Sequence, residues 1–83
     1  MSQWIAVDKA DVLLNASEIV RIWVGVQHVI RAGEELQVWC VFAEIKDLGG
    51  YSTTIIAENL SEEEARERFR ELMFCLSEGA HVC

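Results

Sequence analysis

The chain has 83 residues, 52% of them hydrophobic, and carries a net charge of -7 at pH 7. That length holds one domain, the apolar content excludes disorder, and no apolar run approaches the ~18 residues of a membrane span. The negative charge argues against nucleic-acid phosphates or an anionic membrane as partners.

The first sixty residues read as strands. Trp4 to Val7 is a short run, followed by the turn Asp8-Lys9-Ala10-Asp11 and a second short run, Val12-Leu13-Leu14. Ile19 to Ile30 alternates, with Val20, Ile22, Val24, Val26, His28 and Ile30 at even positions and Arg21, Trp23, Gly25, Gln27 and Arg31 at odd ones. Leu36 to Ile45 and Tyr51 to Ala57 are the next two strands. A loop Ala32-Gly33-Glu34 sets Val24 opposite Phe42 and Val26 opposite Cys40. A loop Asp47-Leu48-Gly49-Gly50 sets Phe42 opposite Ile55 and Cys40 opposite Ala57. Both registers bring apolar residues together, and a slip of one residue would undo that agreement.

The end of the chain reads as a helix over 62–77 with a flexible tail over 79–83. Ser61 and Glu64 form a capping box, and Glu62, Glu63 and Glu64 suit the positive end of the helix dipole. Glu62–Arg66 and Glu64–Arg68 are i,i+4 pairs. Ala65, Phe69, Leu72, Met73 and Leu76 make one apolar stripe, and Gly79 is the stop signal. The expected fold is α+β, a single domain with an antiparallel sheet of about five strands and the helix across one face.

If the helix covers Val24, Val26, Val38, Cys40, Phe42 and Ile55, the second face carries Trp23, Trp39, Val41, Ala43, Ile45 and Ile56. A solvated face of an antiparallel sheet is mostly polar, and this one is not. Three covers are open. The N-terminal strands, with Trp4, Ile5, Val7, Leu13 and Leu14, could fold over it. A second copy or another protein could pack on it. A small ligand could sit in a groove lined by Trp23 and Trp39. Phe74 faces away from the helix stripe and adds an apolar contact point. Arg21 and Arg31, beside the Trp-bearing face, are the pair that a bound anion would meet.

Motifs of catalysis are missing from the sequence: no phosphate loop, nucleophile elbow, Walker sequence or HExxH helix occurs. His28 falls at the end of a core-facing row and His81 in the tail. Cys75, His81 and Cys83 supply three soft donors, one short of a structural zinc set. The odd count of three cysteines and the lack of a signal peptide suggest reduced thiols in the cytoplasm.

The strand order followed by Leu60-Ser61-Glu62-Glu63-Glu64-Ala65 and an amphipathic helix is similar to a loose group of small, uncharacterised bacterial, phage and mobile-element proteins. The Leu14-Asn15…Ile19 stretch before the long strand looks like theirs as well. The resemblance implies no catalytic residue. Some small phage proteins of this size bind and sequester immune-signalling nucleotides as oligomers. The expectation is a non-enzymatic interaction module without cofactor or metal. It would act as a homo-oligomer through Trp23, Trp39, Val41, Ile45, Ile56 and Phe74, and the alternative is a small-ligand or nucleotide-type binder on the same face.

Overall fold

The computed structural model describes residues 2–83. In chain order it contains β1 (Trp4–Ala6), β2 (Leu13–Asn15), a 3-10 turn (Ala16–Glu18), β3 (Ile19–Arg31), β4 (Glu34–Asp47), β5 (Gly50–Leu60) and α1 (Glu62–Ser77). The fold is α+β with antiparallel sheets and a C-terminal helix, but the strands divide into two sheets. β1 pairs with β2, and β3, β4 and β5 form a separate meander in that order. Asn15 accounts for the break: its side chain accepts hydrogen bonds from the Ser17 N–H at 3.0 Å and the Ser17 hydroxyl at 2.9 Å. That local cap winds the chain through the 3-10 turn before β3 begins.

The β3–β4 loop has two residues. Ala32 and Gly33 both have positive φ, 52° and 79°, as a type I′ turn requires, and this turn matches the right-handed twist of the strands it joins. The turn pairs Arg31 with Glu34, and therefore Val24 with Val41 and Trp23 with Phe42. The three-residue loop expected from the sequence is one residue too long. The difference exchanges the two faces of β4 relative to β3.

The β4–β5 register is as expected near its turn, where Phe42 opposes Ile55, and then departs from it. The next pair is Val41–Ala57, so Ile56 is an extra, bulged residue and Cys40 does not oppose Ala57. Ile56 and Ala57 are consecutive in sequence, yet both are buried.

Val41, Ala43, Ile56 and Ala57 form the sheet side of the core, and Ala65 and Leu72 the helix side. The helix thus covers the face expected to stay open. The small side chains Ala43, Ala57 and Ala65 let the helix approach that face closely, and burying Leu72 or Ile56 is worth about 1.5–3 kcal/mol each. The β1–β2 hairpin joins the same layer: Ile5 is fully buried in this core and Leu14 packs against it. It does not act as a lid over the other face.

The capping box is present in both halves, with Glu64 N–H donating to Ser61 Oγ at 3.2 Å and Ser61 N–H to Glu64 Oε1 at 3.1 Å. Gly79, with φ of 74°, follows the end of the helix. Arg66 pairs with Glu62 at 3.1 Å. Arg68 departs from its expected partner Glu64. It reaches Asp8 at 3.1 Å and donates to the Ala6 and Cys83 carbonyls at 3.3 Å, tying helix, hairpin and C-terminus together.

The tail is held as well. Trp4 N–H donates to the His81 carbonyl at 2.9 Å and Cys83 N–H to the Trp4 carbonyl at 2.7 Å, and a disulfide joins Cys75 to Cys83. This corrects two expectations, a flexible tail and reduced thiols at those positions. Cys40 lies outside the disulfide. No helix among the described residues is long and apolar enough to cross a membrane.

Candidate functional site

With helix and hairpin on one side, the other side of the meander presents the odd positions of β3 and the even positions of β4. Gly25 sits at its centre. A Cβ at Gly25 would lie 2.9 Å from Phe42 Cε2, so the missing side chain is what lets the Phe42 ring lie flat on the sheet. Trp23 stacks on that ring, with centroids 5.5 Å apart and planes inclined by 21°. The Arg21 guanidinium sits 4.6 Å from the Trp23 ring centroid and 3.6 Å from Glu44. The result is a ladder of Glu44, Arg21, Trp23 and Phe42, each member a cross-strand or same-strand neighbour of the next.

Cys40 lies next along β4 and is fully buried. Its thiol donates to Gln27 Oε1 at 3.6 Å. Val38 and Ile55 are half-buried, while Leu36 and Tyr51 are exposed at the margins. Buried or half-buried apolar groups in the middle and exposed ones at the rim make this a hydrophobic surface with no described element over it.

β3 adds a second open feature, since it is an edge of the meander. The type I′ turn makes Arg31–Glu34 a hydrogen-bonded pair, so the odd residues of β3 bond inward to β4 and the even residues point their backbone groups outward. From Ile22 to Ile30 none of these outward groups has a backbone partner among the described residues. β5, the opposite edge, is partly closed: Asp8 N–H donates to the Ile56 carbonyl at 2.8 Å.

The structure separates the residues that the sequence suggested would act together. Trp23 is on the open face. Trp39, Val41 and Ile45 lie on the covered one, Ile56 is in the core beneath the helix, and Arg66 sits over the Trp39 ring at 5.8 Å. Trp23 and Trp39 therefore cannot line one groove within a protomer. Phe74 is 68% exposed on the outer side of the helix. Arg21 is engaged by Trp23 and Glu44, and Arg31 is at the far end of the same strand, so the two do not converge on one anion. His28 lies at the exposed end of the β3–β4 hairpin, 3.1 Å from Glu35. Cys75 and Cys83 are bonded to each other, which removes both as thiolate ligands.

The residues missed are Gly25, Gln27, Cys40, Phe42 and Ile55. A glycine in the middle of a β-branched strand was the available signal, because it marks a close approach. No family model, curated protein or solved structure matches the chain.

Proposed function

We propose that this protein is a non-enzymatic interaction module that assembles with copies of itself through the open, Trp-bearing face of the meander. The observation that carries the reading is the Trp23–Phe42 stack over Gly25, an apolar centre with no described element over it. Trp at the middle of an apolar patch is the usual composition of an interface centre. The rim favours a second copy. Arg21 and Glu44 pair across β3 and β4 at one end of the face and Arg31 and Glu34 at the other, so two copies packed face to face about a two-fold axis along the strands, β3 over the mate's β4, set each Arg over a Glu of the mate.

The test is sedimentation across micromolar to millimolar concentrations, repeated with Trp23→Lys. Association of the wild type and its loss in the variant, with the far-UV circular dichroism retained, is the expected result. A chain that stays monomeric throughout, or an assembly that ignores Trp23→Lys, overturns the reading.

A second reading draws on the same ladder. Arg21 over Trp23 over Phe42 is a platform on which a planar, anionic small molecule of nucleotide type would stack. It requires Trp fluorescence to change on titration with a nucleotide panel, and an unresponsive Trp23 removes it.

A further inference from the structure

We infer that the outer edge of β3 pairs antiparallel with β3 of a second copy, joining two meanders into one six-stranded sheet with both helices on the same side. The inference deepens the self-assembly reading and rests on its claim that copies of the chain associate.

The edge itself comes first. It is 13 residues long, with neither Pro nor Lys between Ile19 and Arg31. Natural edges are normally blunted by such residues, by bulges or by short length. The single irregularity of β3 is at its start, beside Val20. Val20, Val26 and Ile30 are 52%, 39% and 79% exposed. The hairpin also outruns its support, since β5 last pairs at Trp39–Leu60. Beyond that level the turn end of β3–β4 is a two-stranded ribbon, which by itself is marginal in water.

Area makes the same demand. One residue of a sheet face occupies about 32 Å², from a strand spacing of ~4.8 Å and a two-residue repeat of ~6.7 Å. Eight apolar positions then give a flat footprint of roughly 250 Å², a small centre for an interface that standardly buries ~800 Å² of accessible surface per partner. Pairing the β3 edges fuses two open faces into one of twice the area and buries the edge in addition.

Self-complementarity selects a second copy as the occupant. A pairing centred near Val26 sets Ile30 beside Ile22 of the mate and Val24 beside its His28. The apolar end of each unsupported ribbon then lies along the supported part of its mate. Arg66 and Arg70 of the helix line a shallow groove with Ile22, Trp23 and Val24 of β3, and the same two arginines share a second groove with Glu62 and Glu63. Glu63 and Arg70 make no ion pair or hydrogen bond among the described residues. A two-fold axis at the β3 edge runs the helices antiparallel, about 14 Å apart if each is centred over its β4. Glu63 of one then faces Arg70 of the other, within reach of both long side chains.

The test uses the intact chain at the concentration where it associates. Amide hydrogen exchange by NMR is expected to show Ile22, Val24, Val26 and His28 protected, although their N–H groups have no partner among the described residues of a protomer. Val26→Pro removes one outward N–H that β4 does not use, and it is expected to reduce the particle mass while Trp23→Lys disrupts the face separately. Rapid exchange at those four amides in an intact particle overturns this inference and leaves face-to-face assembly standing. So does a particle that persists in Val26→Pro and dissociates in Trp23→Lys. Protection that is lost in Val26→Pro but unaffected by Trp23→Lys supports the edge and removes the face. A monomer at every concentration removes both.

Discussion

Gly25→Ala probes the open face directly, because the consequence of one added carbon can be worked from distances. The new Cβ would meet Phe42 Cε2 at 2.9 Å and Cδ2 at 3.2 Å, where carbon atoms normally rest about 3.5–4.0 Å apart. The Phe42 ring must retreat by roughly 0.5–1 Å, which disturbs its stack with Trp23. Overpacking of this kind costs about 1–3 kcal/mol, and the stacked pair is worth about 0.5–1.5 kcal/mol. The backbone acts in the other direction: replacing a strand glycine with alanine stabilises by about 0.5–1 kcal/mol. The expected net effect is a loss of about 2 kcal/mol, read from urea unfolding at a concentration where the chain is a single protomer. Near-UV circular dichroism should show the Trp23–Phe42 coupling weakened. A double-mutant cycle isolates the cause: in a Phe42→Leu background the same Gly25→Ala change should be neutral or stabilising. If Gly25→Ala stabilises the chain with Phe42 present, and the aromatic signal is unchanged, the ring does not rest on Gly25 and the account of the open face is wrong.

The capping box makes a pH prediction. Hydrogen bonds from the Ser61 backbone and then its side chain hold the Glu64 carboxyl below its ordinary value of 4.5. A carboxylate with a depressed folded-state pKa contributes stability above its unfolded value, and that contribution is lost as pH falls through the folded one. The urea midpoint of Glu64→Gln should therefore fall less than that of the wild type between pH 5 and pH 3; equal falls would refute the assignment. Ser61→Ala should cost about 1 kcal/mol at pH 7, measured by the same unfolding. Reducing the Cys75–Cys83 disulfide removes a short closed loop and should lower stability by about 2.5 kcal/mol on chain-entropy grounds. It should also speed exchange of the Cys83 amide that donates to Trp4, and unchanged exchange would mean that the hydrogen bonds alone hold the tail.

Local signals in this chain were legible, and the one global choice was not. The helix appears over Glu62–Ser77 with its capping box and glycine stop because each depends on residues three or four apart. The three long strands appear where the alternation placed them. Alternation cannot choose between two apolar sides, so it leaves the faces unassigned. Val24 finds an apolar partner in Val41 as readily as in Phe42. Pattern therefore left the register nearly degenerate, and the turn decided it. A two-residue I′ loop is favoured by strand twist even though Ala32 must adopt a left-handed φ. The β5 bulge hid a second fact of the same kind, since two consecutive core residues, Ile56 and Ala57, cannot be read from a period of two.

Side-chain volume distinguishes the two faces. The two sides of the meander have similar hydrophobicity and very different relief. One carries Val41, Ala43 and Ala57 where the helix packs, with Trp39 set toward the turn end under Arg66, and the other carries Trp23, Phe42 and Ile55 around its centre. A helix that brings Ala65 to its contact point needs a low surface, because close-packed layers leave no voids to absorb a mismatch. Bulky rings spaced over a glycine are instead suited to a partner that can interdigitate with them. The same asymmetry that directs the helix to the small-residue face therefore leaves the Trp23–Phe42 stack outside. The proposed role follows from that packing choice: a face too rough for the chain's own helix remains available to a second chain.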